Sequence, residues 1–178
     1  MFPKAHASAY MISALRVGWY KVYEPLAFYA AYFTARPDDV EVKTVVAGKA
    51  AVRKRIDGIN ALIQQKKDVP KKEMDVYNKL IIINEMLSRG LEFLPIDLLK
   101  SHASKYVIED GKIRLPFGAL GGVGQKAAES LQRAAQKGNF ISREELQIEA
   151  GVSKTVIEAL ADAGALDFLP DTNQLSFF

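Results

Sequence analysis

Cysteine is absent from the 178 residues, and histidine occurs only twice, as His6 and His102. The first absence excludes disulfides and thiolate metal sites; the second leaves no set of ligands for zinc. No stretch approaches the ~20 apolar residues of a membrane-spanning helix. The apolar N-terminal segment is broken by His6 and Arg16, so it does not read as a secretory leader. These features point to a cytoplasmic protein with no membrane partner. Strong charge imbalance is also missing: the formal net charge is +3, which permits a polyanionic partner without requiring one.

Hydrophobic residues make up 49% and charged residues 25%, so a packed core is affordable over most of the length. Four segments are expected, and the fold class is mainly α. Residues 1–38 hold a helix over 8–23 and another over 25–35, with Pro25 at the break. Both stripes of the first helix are apolar, which predicts that most of it is buried. Phe2, Tyr10, Trp19, Tyr20, Tyr23, Phe28, Tyr29, Tyr32 and Phe33 are too many aromatics for a free two-helix unit. This unit reads as part of a larger body, with a dimer interface as the alternative. Arg36-Pro37-Asp38-Asp39 closes it as a turn.

Residues 39–104 form a helical connector. An amphipathic helix is expected over 44–65, with Val52, Ile56, Ile59 and Ile63 inward. A second runs from Pro70 to about Ser88, with Val76, Leu80, Ile83 and Leu87 inward, and Gly90 stops it. His102, among serines and without an acid partner, reads as a surface residue.

Residues 105–169 change character. Asp110-Gly111 between Tyr106-Val107-Ile108 and Ile113-Arg114-Leu115 predicts a small β-hairpin. Helices follow over 125–137 and 154–163, and Ser142 with Glu145 has the spacing of a capping box. The strongest motif is Leu120-Gly121-Gly122-Val123-Gly124-Gln125-Lys126. Gly-hydrophobic-Gly suits a helix-hairpin-helix turn: Gly122 allows positive φ, Val123 plugs the core, and Gly124 admits a phosphate close to the backbone. The amides of Gly124, Gln125 and Lys126 then open a helix N-terminus that favours an anion, and the lysine adds charge. Gly151-Val152-Ser153-Lys154 repeats the layout in degenerate form. Together they predict a tandem unit that grips duplex DNA by its backbone and not by its base edges. Gly122-Val123-Gly124 does not continue into a dinucleotide fingerprint, because position 127 is alanine.

Residues 170–178 end in Gln174-Leu175-Ser176-Phe177-Phe178. Two terminal rings beside a leucine and a glutamine read as a peptide built for a pocket on another protein. Phe2-Pro3-Lys4-Ala5-His6-Ala7 reads either as an ordinary lead-in to a helix or as a loop that meets phosphate or base.

Several of these motifs resemble one family in its own order. Phe2 to Ala7, Lys21-Val22-Tyr23-Glu24-Pro25-Leu26 and Tyr29-Ala30-Ala31-Tyr32-Phe33 resemble the late fingers region of bacterial PolC-type DNA polymerase III alpha subunits. Phe117 to Lys126 resembles that family's helix-hairpin-helix. Val152 to Glu158 and Asn173 to Phe178 resemble its C-terminal end. The resemblance implies a helical fingers remnant followed by the duplex-binding region, in a DNA-directed DNA polymerase with a 3′–5′ exonuclease. Its catalytic carboxylates and magnesium would lie upstream, so no cofactor is expected here and this chain alone would not polymerise. Lys4 and His6 would sit near the nascent base pair. The tail would bind the β sliding clamp, with Phe177 in place of the family's usual leucine. The competing readings are a free-standing helix-hairpin-helix repair accessory and a helical interaction protein with no DNA role.

Overall fold

A computed structural model describes residues 3–36, 40–65, 68–138 and 140–172. The turn at Asp38-Asp39, Phe2 and the tail from Asn173 to Phe178 lie outside the described residues.

The chain opens with α1 (Lys4–Tyr23) and α2 (Pro25–Ala35), which pack on each other. Pro25 stands at the first position of α2, where its missing N–H costs nothing. Tyr29, Ala30 and Phe33 of α2 are buried. The expected burial of the first helix is not found: no residue of α1 is buried, and Tyr10, Leu15, Trp19 and Tyr23 are among its exposed large side chains. The reason is that apolar character on all sides sets a demand for cover that the described residues do not meet. The last turn is tied down by Lys21 Nζ to Glu85 Oε2 at 2.8 Å and by Arg89 Nη1 donating to the Lys21 carbonyl at 3.2 Å. The helix also starts at Lys4 and not at residue 8, so Lys4 and His6 lie on its first turns and not on a loop.

The helix expected over 44–65 is two helices, α3 (Val42–Val46) and α4 (Lys49–Gln64). Gly48, at φ 90°, breaks the run between them. α4 lies against α5 (Lys71–Ser88), bringing Val52, Ile56 and Ile59 and the facing Leu80, Ile83 and Leu87 into the core. Ile63, expected inward, is exposed, and Val76 is half-buried. Arg55 locks the pair from outside: its Nη2 lies 2.9 Å from Glu41 Oε1 and 2.5 Å from Glu73 Oε1. Gly90 ends the α5 segment with φ 80°, as expected.

The β-hairpin is present as β2 (Val107–Glu109) and β3 (Lys112–Arg114), turned by Asp110 at φ 51° and Gly111 at φ 76°. Positive φ at both central residues is what Asp-Gly supplies in a two-residue turn. Numbered before them in the chain, β1 (Phe93–Leu94) adds a third strand that the sequence did not announce. It runs parallel to β3, giving the order β1-β3-β2. Phe33, Phe93 and Tyr106 meet in one aromatic cluster, with Phe33 5.6 Å from Phe93 and 5.5 Å from Tyr106. That cluster joins α2 to the sheet.

The rest is α6 (Gln125–Lys137), α7 (Arg143–Ala150) and α8 (Lys154–Asp162). Their buried residues, among them Leu131, Leu146 and Leu160, continue the core begun by α2, α4, α5 and the sheet. Among the described residues no helix is long and apolar enough to cross a membrane.

Candidate nucleic-acid interface

β3 delivers the chain to the first hairpin. Arg114 on β3 is buried, and its Nε and Nη2 donate to the two carboxylate oxygens of Glu109 at 2.7 and 2.8 Å, while Nη1 donates to the Pro95 carbonyl at 2.8 Å. These contacts satisfy a charge that would otherwise be costly inside the fold. Lys100 reaches the same carboxylate at 2.8 Å, and the Arg114 and Lys100 bonds hold Glu109 down at about 2.

After Leu115 and Pro116 comes one turn of 3-10 helix, Phe117–Ala119. This is the first departure from the expected tandem unit: the leading member of the first pair is a three-residue turn and not an α-helix. Tertiary fit explains it. Phe117 N–H donates to the His102 carbonyl at 3.0 Å and Gly118 N–H to the Ala103 carbonyl at 2.8 Å. A Cβ at Gly118 would stand 3.1 Å from that Ala103 oxygen. Val40 N–H donates to the Ala119 carbonyl at 2.9 Å, so the segment after α2 clamps the same turn. His102 is half-buried and not a surface residue. Its Nδ1 accepts from the Ser104 and Lys105 amides at 3.0 and 3.1 Å, and burial followed by the nearby Lys105 charge lowers its pKa. A neutral imidazole is the form that can accept those two bonds.

Gly122 then takes φ 87°, a conformation that L side chains rarely adopt, and Val123 is 5% exposed beneath it. Both fulfil the roles read from the sequence. Gly124 differs in kind. Its φ of −68° and ψ of 161° suit any residue, and a Cβ there would meet no atom within 4 Å. Neither backbone geometry nor packing among the described residues requires glycine at 124. Gly124, Gln125 and Lys126 are all exposed, and among the described residues Lys126 has no ion-pair partner. Gln125 Nε2 donates to Glu129 Oε1 at 3.0 Å, along the helix and away from the open amides.

The second hairpin is a full helix–turn–helix, α7 to α8. Gly151 stands at φ 61° and ψ 37°, Val152 is half-buried, and Ser153 precedes α8 at φ −71° and ψ 156°, close to the angles of Gly124. Ser153 and Lys154 are exposed, and Lys154 Nζ lies 3.6 Å from Glu158 across a solvent-facing turn. Ser153 does not cap α8 with its side chain.

Three helix N-termini therefore occur in this region, and they are of two kinds. α7 is closed: Ser142 Oγ accepts from the Glu145 amide at 3.1 Å, and Glu145 Oε2 accepts from the Ile141 amide at 2.7 Å. Arg143 and Glu144 amides donate to the carbonyls of Pro170 and Asp171, and two acids occupy the first turn. α6 and α8 have no acid in the first turn and no side-chain cap. An anion approaching α7 meets like charge and used donors. At α6 and α8 it meets free backbone N–H groups, the positive end of the helix and a lysine.

Lys4 and His6 are exposed on α1, at the other end of the chain from the hairpins, and the His6 ring lies 4.6 Å from Tyr10. Gln174, Leu175, Ser176, Phe177 and Phe178 lie outside the described residues. What sequence reading missed is the anchoring of the first hairpin by Val40, His102 and Ala103. No local pattern marks those residues, since their role comes from contacts far apart in the chain.

Residues 90–175 match the family model described as a helix-hairpin-helix motif. The whole chain is 45% identical to a stretch of DNA polymerase III PolC-type from Bacillus cereus, 42% to that of Streptococcus sanguinis and 44% to that of Clostridium perfringens. Each match covers all of this chain and 12% of the relative, so the chain spans a small part of the length of these curated relatives. The matched region encloses both hairpins, and the chain is similar along its entire length to a segment of PolC-type DNA polymerase III.

Proposed function

We propose that this chain is a DNA-binding part of a replicative DNA-directed DNA polymerase, holding duplex DNA by its phosphates through the two hairpins. The observation that carries the reading is the contrast among the three helix N-termini. The two that follow a Gly-Val turn, α6 and α8, are open and free of acids, while α7 is capped and acidic. Gly124 strengthens it, because a glycine that nothing in the chain requires leaves room for a phosphate. Gln125, Lys126, Ser153 and Lys154 flank the two openings. Contacts of this kind neutralise phosphates and release counterions, so affinity should fall steeply with salt. The test is duplex binding by Lys126→Glu across a salt series. Weakened binding with a shallower salt dependence supports the reading; a curve that overlays the wild type refutes it.

We infer the remaining parts of the polymerase reading with the similarity as support. Gln174, Leu175, Ser176, Phe177 and Phe178 tether the polymerase to the β sliding clamp, supported by two aromatics and a leucine at the end of a polar segment. Equal clamp retention by the wild type and by a chain lacking 174–178 would refute that tether. The apolar surface of α1 packs against the rest of the polymerase chain, and the resemblance suggests Lys4 and His6 as residues near the nascent base pair. Polymerase carboxylates, magnesium and 3′–5′ exonuclease belong to that remainder, and the whole works in the cytoplasm.

A further inference from the structure

Arg36, which ends α2, and Lys71 and Lys72, which open α5, line one open cleft of about 720 Å³ together with Tyr32, Asp75 and Lys79. Among the described lining residues, Arg36, Lys71, Lys72 and Lys79 are basic and Asp75 is a carboxylate. Elsewhere many basic side chains are spent on ion pairs: Arg55 with Glu41 and Glu73, Lys21 and Arg89 with Glu85, Arg114 with Glu109, Arg143 with Asp171. Among the described residues Arg36, Lys71 and Lys72 have no such partner.

Arg36 is nonetheless held in place. Its guanidinium lies over the Tyr32 ring at 5.0 Å, and Nη1 donates to the Tyr32 hydroxyl at 3.3 Å. Phe28 stacks behind Tyr32 at 6.1 Å. Stacking fixes the plane of the guanidinium and leaves its other N–H donors for a ligand, the preorganised fork that suits phosphate oxygens. Lys71 and Lys72 occupy the first turn of an 18-residue helix, where a cation opposes the helix dipole. A bound anion relieves both charges at once. The cleft is far larger than one phosphate, and its concave shape suits a flexible strand more than the convex surface of a duplex.

We propose that this cleft is a second nucleic-acid site, which takes the sugar–phosphate backbone of a single strand. It shares no lining residue with the hairpins and does not depend on their binding duplex.

The test uses the full 178-residue chain and two fluorescent probes, an oligothymidylate and a blunt duplex. Arg36→Gln/Lys71→Gln/Lys72→Gln changes only exposed side chains, and its melting curve verifies folding. Oligothymidylate affinity should drop at least about tenfold near physiological salt, and the logarithmic salt slope should become shallower by about 2, at ~0.7 per phosphate lost. Blunt-duplex affinity should stay within about twofold, since the hairpins are intact. Absent strand binding by the wild type, an unchanged strand affinity, or equal loss for both probes would overturn the proposal. Acylation of Lys71 and Lys72 in the wild type gives an independent reading. Protection by oligothymidylate supports the strand site, whereas protection by inorganic tripolyphosphate alone would make it a site for small polyphosphates and overturn the strand assignment.

Discussion

The two hairpins reach nearly the same backbone at the residue that opens the following helix, Gly124 and Ser153, from different surroundings. The first is fed by a buried β-strand and a 3-10 turn and is pinned by Val40, His102 and Ala103. The second is made by two helices and is held by the capped start of α7 and by the Pro170–Asp171 segment that folds back on it. Common to both is the open, acid-free first turn that points N–H groups outward; the scaffold behind it is free to differ. The second can dispense with glycine at 153, which agrees with Gly124 serving the approach of something outside the chain.

If the supports differ in this way, they fail separately. Arg114→Ala should have the largest effect. It removes the bidentate bonds to Glu109, which keeps Lys100, and the bond to Pro95, at a cost of roughly 3 kcal/mol for the lost charge-assisted bonds. Chemical denaturation should show the loss, and hydrogen exchange should rise over β2, β3 and 117–124 before it rises in α7 and α8. Loss of protection first in α8 would break the division into two supports.

Val123→Ala and Val152→Ala sharpen it. Val123 is 5% exposed and Val152 only half-buried. Removing two methyl-sized groups should cost about 2 kcal/mol at 123 and under about 1 kcal/mol at 152. Equal costs would mean that the second plug is packed as tightly as the first.

Ser142→Ala removes the α7 cap and should cost about 1 kcal/mol, with exchange rising at the Glu145 amide. The first hairpin should stay unaffected. The smallest effect is that of acid. Glu109 is held at about 2, below its ordinary 4.5, by Arg114 and Lys100. A depressed carboxylate contributes stability above its unfolded value and loses it as pH falls toward the folded one. The β2–β3 hairpin should therefore loosen between about pH 4.5 and 2, and Glu109→Gln should flatten that dependence in an amide-shift titration.

Much of the C-terminal half was legible because short-range chemistry sets it. Asp110-Gly111, Gly122 and the Ser142–Glu145 spacing each dictate a turn or a cap without help from distant residues. The parallel strand at Phe93–Leu94 was not legible, since two residues have no periodicity and their partner lies twenty residues away. The expected 44–65 helix hid the break at Gly48, because a glycine within an amphipathic run reads as tolerated. His102 looked like a surface residue since its bonds to the Ser104 and Lys105 amides arise only once that turn is folded. For α1 the composition predicted burial, and among the described residues the helix is exposed instead.

The most direct test of the central claim is Gly124→Asp, measured for both stability and duplex affinity. A Cβ there meets no atom within 4 Å, and an aspartate suits the backbone angles and places a negative charge at the positive end of α6. The melting temperature should hold or rise, by the equivalent of about 0.5 kcal/mol, while duplex affinity falls by about tenfold or more. A variant that keeps full duplex affinity would contradict the assignment of that open N-terminus to phosphate.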